Sequence, residues 1–539
     1  MRREKKYIVV AFVVGIVYRL LMSVQGIDTV DMGYCMTFYQ NIFSHPDALP
    51  YYFNYYLTGL VGGVWHLLLG GLGLMGFRVL ELLTMTLAVW LLYLSFRRWL
   101  TSARVAAVAV LLSFLFPSFV VTFHFDTLAF LLMSASVYFL SHWFGNGRPL
   151  WMMLAGCMIG LSCFTRNMTG GLIALAVLPF YWGAQTSWRK AQNNVAYYVS
   201  GMAVGTLAVI SVMALLGHLP YYLTALQEML DTVGSAQSSH GVAVFWRGYF
   251  KSYINIGLQI VVIALMALYF GDASLLSGRL RAIIRTVMLA GLFVLVLTSQ
   301  PYLSAVAICT LLIAITKEPH PLTFYALACA YLFPFGSGSS IPGVFHWCGG
   351  LLIIPAACCY LRLGSQWQRT VTSLVGLCIA VNMVYRMGSK AYGEEHSRLT
   401  TTEVALPGTL NTMTQKERAV SYRNVVARIR EYAGDGKLLL LGNQASELYY
   451  ATGMLPFTGN TQVAAFLGDE LTARLDRQEA YYGQLPLIAL LKHGYETEPD
   501  DSEEFRVLVK PWMEKHDYRM VYEDEDIEIY GAARLKNKE

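Results

Sequence analysis

Long apolar blocks separated by short polar turns fill most of the first 386 positions of the chain. Hydrocarbon about 30 Å thick takes roughly 20 residues of helix. The blocks therefore predict membrane-crossing helices at 7–24, 77–96, 104–122, 127–143, 150–165, 168–186, 195–216, 252–270, 283–299, 302–316, 321–335, 347–362 and 370–386. That makes about thirteen crossings. The segment 25–76 is also apolar, but Pro46, Pro50 and repeated glycines break it, and Tyr51, Tyr52, Phe53, Tyr55, Tyr56 and Trp65 crowd its second half. Tyr and Trp favour the headgroup level, so 55–74 reads as a helix lying in the interface rather than as a crossing.

Beyond residue 387 the period changes. An amphipathic helix is expected at 420–432, a buried strand at 437–441, helices at 447–452 and 505–516, and a hairpin pairing 518–522 with 527–530. The fold class is thus an α-helical polytopic membrane domain, 1–387, followed by a soluble α/β domain, 388–539. Composition agrees: 55% of residues are hydrophobic and 14% charged, and the mean hydropathy is +0.46. That is more apolar surface than a soluble domain tolerates, so membrane lipid is the solvent and no nucleic-acid partner is expected. The nine cysteines fall almost wholly in apolar runs and read as buried small hydrophobes, not as a disulfide or zinc framework. Arg2, Arg3, Lys5 and Lys6 ahead of the first block resemble a signal peptide, but no small-residue cleavage pattern follows, so a retained first helix is expected.

Charge sets the orientation. With the N-terminus cytoplasmic, inner loops collect Arg97, Arg98, Arg104, Arg148, Arg189, Lys190, Arg279, Arg281, Arg285, Lys317, Arg362 and Arg369, while 25–76 holds no Lys or Arg. An odd number of crossings then makes the C-terminal domain extracytoplasmic. Gly156 with Gly160 and Gly201 with Gly205 are small-xxx-small pairs suited to close helix packing. Glu81, inside the second span, is expected to pair with Arg78 three residues earlier.

Charged residues at the outer rim carry the chemistry, because ionisable groups at a membrane are costly. Asp31, just past the first helix, is placed to act as a general base, or alternatively to cap a helix over 32–43; Asp28 competes for the same role. His124 and Asp126, at the head of the fourth span, could orient an acceptor, hold a divalent cation, or cap the helix. Arg166, in a tight outer turn, offers a fork to phosphate or snorkels to the interface. His240, Arg247 and Lys251, in a second outer excursion over 217–251, could supplement a phosphate site.

In this order the features resemble the GT-C superfamily of membrane glycosyltransferases, which includes protein mannosyltransferases and lipid A aminoarabinose transferases. The resemblance rests on Asp31-Met-Gly-Tyr34 in the first outer loop, Arg78 opening the second span, Phe125-Asp126-Thr-Leu-Ala-Phe130 at the second outer loop, and Gly160-Leu-Ser-Cys-Phe-Thr-Arg166-Asn167. Leu441-Gly-Asn443 and Glu447-Leu-Tyr-Tyr-Ala-Thr-Gly453 resemble the soluble domains many bacterial members append. The resemblance implies transfer of a sugar, with inversion, from a polyprenyl-phosphate donor to a lipid-linked glycan, protein or lipid acceptor. It implies Asp31 as base, Asp126 as a second acid, Arg166 on the donor phosphate and Tyr34 beside the substrate. The family's acidic pair is here Asp31-Met32 with Asp28 displaced, which leaves a divalent cation open. A lipid-linked glycan polymerase or ligase and a transporter or flippase are the alternatives. The first lacks its expected Arg-rich outer loop, and the second lacks internal repeats and midplane charges.

Overall fold

The structure, a computed structural model, describes residues 2–28, 31–115, 121–234, 319–333, 350–360, 397–442, 445–463, 469–492 and 502–532, with isolated positions between 254 and 394. The expected span 283–299, most of 252–270, 302–316 and 370–386, and the candidates His240, Arg247 and Lys251 lie outside the described residues. The membrane part begins with α1 (Arg2–Ser23), α2 (Asp31–Asn41), α3 (Tyr56–Leu69), α4 (Gly73–Phe96) and α5 (Ala103–Leu115). It continues with α6 (Phe125–Asn146), α7 (Pro149–Ser162), α8 (Val177–Ala184), α9 (Trp188–Leu215), α10 (Leu219–Gly234), α11 (Pro321–Leu332) and α12 (Gly350–Cys358).

Among the described residues four helical stretches are long and apolar enough to cross a bilayer unaided: Lys5–Ser23, Pro50–Phe96, Phe125–Asn146 and Trp188–Leu215. Their outward faces carry Val10, Val13, Leu21, Leu87, Val204 and Leu207, which are exposed because only lipid would cover them. Shorter apolar helices accompany them at Ala103–Leu115, Pro149–Ser162, Leu172–Ala184 and Pro321–Leu332. The expected span 168–186 is not one α-helix but a 3₁₀ segment, Asn167–Ala176, continued by α8. At about 2.0 Å per 3₁₀ residue and about 1.5 Å per α residue the two together still extend about 32 Å.

Packing explains the paired glycines. A Cβ on Gly156 or Gly160 of α7 would strike the Tyr198 or Met202 carbonyl of α9, and one on Gly201 or Gly205 would strike the Met153 or Cys157 carbonyl of α7. The two backbones touch only because both faces lack side chains. The longest apolar stretch is divided where Gly73, at φ +56°, turns the chain and the Leu74 N–H donates to the Thr409 carbonyl at 2.7 Å. Helix α3 lies along α2, its Gly59 and Gly62 against the rings of Phe38 and Tyr39. One end of α3 meets the turn after α7, Leu57 N–H to Phe164 O at 2.9 Å, and near the other His66 faces Tyr450.

The charge inside the spans is arranged differently from the expected Arg78–Glu81 pair. Glu81 is bound by Arg19 of α1 at 2.7 Å, with both side chains almost fully buried. Arg78 turns instead to the carbonyls of Ser23, Gln25 and Gly26. Those groups stand at or just past the end of α1, where carbonyls have no helical partner and a cation is favoured.

After Thr401 the chain forms the hairpin β1 (Glu403–Leu406) and β2 (Leu410–Thr414), then α13 (Lys416–Ala433), β3 (Leu438–Leu441), α14 (Glu447–Thr452) and β4 (Leu455–Pro456). It ends with α15 (Asp469–Tyr482), β5 (Leu487–Leu491), α16 (Ser502–Lys515), β6 (Tyr518–Glu523) and β7 (Ile527–Ala532). The larger sheet runs β4-β3-β5-β7-β6, with β3 parallel to β4 and β5, and β7 antiparallel to β5 and β6. Every residue of β3 and β5 is buried, as strands covered on both faces require. The sequence pattern anticipates β3, α13, α14, α16 and the final hairpin; β1, β2, β4, α15 and β5 are additional.

This C-terminal region packs directly on the first loop. Residues 24–26 pair with β2 through Gly26 N–H to Met413 O and Met413 N–H to Val24 O, both 2.9 Å. A Cβ on Gly33 of α2 would overlap the backbone of Glu447 at the start of α14. Tyr52 receives the Thr461 N–H at 2.7 Å. The region therefore sits at the end of α1 opposite Arg2, Arg3, Lys5 and Lys6. The other described basic turns, at Arg97, Arg98, Arg104, Arg148, Arg189 and Lys190, also fall at helix ends remote from this contact.

Candidate active site

The loop between α1 and α2 leads into the site. Asp28 is buried, and its carboxylate accepts the Met32 N–H at 3.2 Å, so the group that satisfies an early α2 N–H is Asp28. Asp31 occupies the first helical turn and is half-buried. Its capping alternative is thus met at least in part by Asp28, three residues earlier.

At the head of α6, His124 is the cap. Its Nδ1 accepts from the N–H groups of Asp126 at 3.2 Å and Thr127 at 3.4 Å, while Thr127 Oγ1 accepts the His124 N–H at 3.2 Å. Burial pushes the His124 pKa down to about 4, with Arg166 and Arg19 adding to the fall against its own backbone hydrogen bond. The ring is therefore neutral at physiological pH, its proton placed on Nε2 by the bonding pattern.

His124 thus frees Asp126 from capping. The Asp126 carboxylate is buried and faces Arg166 at 3.8 Å, an ion pair longer than a hydrogen bond. The Arg166 guanidinium also lies over the Phe125 ring, 4.8 Å from its centre. Arg166 is the residue before the 3₁₀ segment, and its turn is held by Leu57 N–H on Phe164 O and Thr58 Oγ1 on Thr165 O at 3.1 Å.

Aromatic rings join these groups. Phe125 packs on Tyr55 with centroids 4.7 Å apart, and Tyr55 meets Tyr34 of α2 edge-on at 5.5 Å. The charges of Asp31 and Arg166 both act on the Tyr55 hydroxyl. Beneath them Cys35 has its thiol pKa raised by burial first, and then by Asp31, Asp28 and Asp126. The structure therefore brings Asp28, Asp31, Tyr34, His124, Asp126 and Arg166 into one neighbourhood at the head of the spans. Tyr55, read from sequence only as a headgroup-level aromatic, stands at its centre.

Residues 63–215 match the dolichyl-phosphate-mannose-protein mannosyltransferase family. The matched stretch runs from within α3 to the end of α9 and covers under a third of the chain, including Arg78, His124, Asp126 and Arg166 but not Asp31. It bears out the resemblance to the GT-C superfamily and indicates an integral membrane glycosyltransferase. No curated protein matches the chain.

At the rim His124 Nδ1 and the Asp28 carboxylate receive backbone N–H groups, and Asp126 faces the Arg166 cation. Among the described residues one His and carboxylate group has ligand atoms close enough together for an ion: Asp476, Glu479 and His516 in the C-terminal domain. There the Lys515 ammonium already binds Asp476 at 2.9 Å.

Proposed function

We propose that the protein transfers a sugar from a polyprenyl-phosphate donor to a lipid-linked glycan, protein or lipid acceptor at the outer face of the membrane. The observation that carries this reading is the gathering of Asp31, Asp126 and Arg166 around Tyr34 and Tyr55, within a chain whose α3–α9 region matches a lipid-phosphate-sugar-dependent family. In the proposed reaction Asp31 removes the proton of an acceptor hydroxyl. The freed oxygen attacks the anomeric carbon from the face opposite the phosphate, and the anomeric C–O bond breaks with its electron pair leaving on polyprenyl phosphate. The configuration inverts. Arg166 stabilises the departing phosphate, Asp126 holds the guanidinium in place, and the neutral His124 secures the start of α6.

Proteoliposomes supplied with radiolabelled polyprenyl-phosphate hexoses and pentoses are expected to yield labelled acceptor and unglycosylated polyprenyl phosphate. Movement of the intact lipid-linked sugar across the bilayer without cleavage would establish the flippase reading instead. The buried Arg19–Glu81 pair, which a transporter could exploit, fits a structural tie better, because it is closed at 2.7 Å one turn from the end of α1.

The proposed orientation follows from the basic turns at helix ends away from the site, which favour the cytoplasm. Glu514 on α16 is exposed. Cysteine placed there by Glu514→Cys is expected to react with an impermeant maleimide in right-side-out vesicles, above the labelling of the parent protein. Reaction only after the vesicles are opened would reverse the orientation.

A further inference from the structure

Five consecutive carbonyls leading to the candidate base are held by groups from distant parts of the chain. Arg78 of α4 donates to those of Ser23, Gln25 and Gly26. The Met413 N–H of β2 donates to Val24 O at 2.9 Å, and Arg418 of α13 donates to Ile27 O at 3.4 Å. Gly393, at φ +71°, lies so close over the same Ile27 carbonyl that a Cβ there would overlap it. The Gln25 side chain adds bonds to Arg398 O at 3.0 Å and Thr401 O at 2.9 Å. One residue beyond this extended run comes Asp28, which holds the start of α2, and then Asp31 in the first turn.

Arg418 is the hub on the C-terminal side. It is half-buried, and its guanidinium donates to Gly393 O at 2.6 Å, pairs with Glu394 at 3.3 Å and donates to Tyr422 Oη at 3.3 Å. The Tyr422 hydroxyl donates in turn to Glu447 at 2.6 Å, and the Glu447 backbone abuts Gly33 of α2. Thr414 Oγ1 donates to Glu394 at 2.7 Å. The same group of side chains thus touches the loop before Asp31 and the helix after it. A bare covering domain would need only apolar contact. A fan of directed hydrogen bonds onto one backbone fixes position, because each donor constrains distance and angle.

We infer that the C-terminal domain is a working part of the catalytic centre, with Arg418 as the positioning residue that sets the 24–28 segment and through it the Asp31 carboxylate. The inference rests on the proposal that Asp31 is the base. It departs from the sequence-level view of an appended domain, since removing one side chain more than 380 residues away along the chain is expected to act on the chemical step.

The test uses the full-length protein in proteoliposomes, with whichever radiolabelled polyprenyl-phosphate sugar supports transfer. Arg418→Met, Arg418→Lys and, as control, Arg423→Met are compared, each alone and combined with Asp31→Asn. Arg423 shares α13 but faces solvent, pairing with exposed Glu403. Arg418→Met is expected to lower kcat about a hundredfold, as displacement of a catalytic group by about 1 Å does, with donor KM changed by less than about threefold. Hydrogen exchange over 24–33 should rise, and Arg418→Met should add no further loss to Asp31→Asn. Arg418→Lys retains the charge but not the fork and should lose about tenfold; it serves as the test variant if Arg418→Met does not accumulate. Wild-type kcat in the Arg418 variants beside an inactive Asp31→Asn would overturn the positioning role and leave the base intact. Near-normal turnover of Asp31→Asn would remove the base assignment and this inference with it. An equal loss in Arg423→Met would reduce the effect to general destabilisation of α13 and overturn the inference.

Discussion

Asp31→Asn is expected to cut turnover by about two to four orders of magnitude while the protein stays folded and keeps its affinity for donor. The substitution preserves shape and removes only the ability to take a proton. The structure sharpens the comparison, because Asp28 already accepts the Met32 N–H and Asn caps a helix about as well as Asp. Any stability change should therefore be small, and a large fall in rate belongs to chemistry. Asp28→Asn is the companion measurement. If Asp28 only anchors α2, that variant should show a lower unfolding temperature or a modest loss of rate, and Asp31→Asn should be much the slower of the two. Turnover near wild type in Asp31→Asn, measured where donor binding is intact, would dismiss the base. The reverse ranking, with Asp28→Asn inactive and stable, would move the role to Asp28.

What the sequence revealed follows from which forces are local. Apolar block lengths and basic turns reflect transfer into lipid residue by residue, so α1, α4, α6 and α9 emerge near their expected limits. The strand β3, a leucine run closed by Gly442, and α14, closed by Gly453 in the left-handed region, carry their own punctuation. The five apolar residues of β5 look the same in a buried strand or a helix fragment, and only pairing with β3 and β7 decides between them. Partner choice among charges is less visible still. Arg78 and Glu81 are helical neighbours, yet α1 ends beside α4 and offers Arg78 carbonyls without partners, while Arg19, hidden in an apolar run, is left for Glu81. The site shows the same division. The gathering of Asp31, Asp126 and Arg166 at one end of the spans could be argued from charge bias, but the division of labour between His124 as cap and Asp126 as ion-pair partner needed three dimensions. So did the contact of Arg418 with Ile27, which no pattern within α13 announces.

The Asp126–Arg166 pair also determines how the donor-phosphate contact must be tested. Arg166→Ala alone would leave Asp126, whose side chain is 2% exposed, without the cation it faces. Removing one member of such a buried pair costs about 3–5 kcal/mol of stability. Weak donor binding in that variant could then reflect a disturbed α6 instead of a missing phosphate ligand. The double variant Arg166→Ala/Asp126→Asn removes both charges together and should recover much of the stability while still lacking the fork. With a labelled polyprenyl-phosphate sugar as ligand, its Kd is expected to rise by the equivalent of about 2–3 kcal/mol, the worth of a charge-assisted hydrogen bond to an anion. That is a loss of roughly 30- to 150-fold. Arg166→Lys should fall between, keeping charge without bidentate geometry. Asp126→Asn alone should bind donor within about threefold of wild type, because the guanidinium stays, and should show its effect in turnover as the fork loses its orienting charge. Wild-type affinity in the double variant would leave Arg166 as an anchor for Phe125 and the interface, and the donor phosphate would have to be met elsewhere.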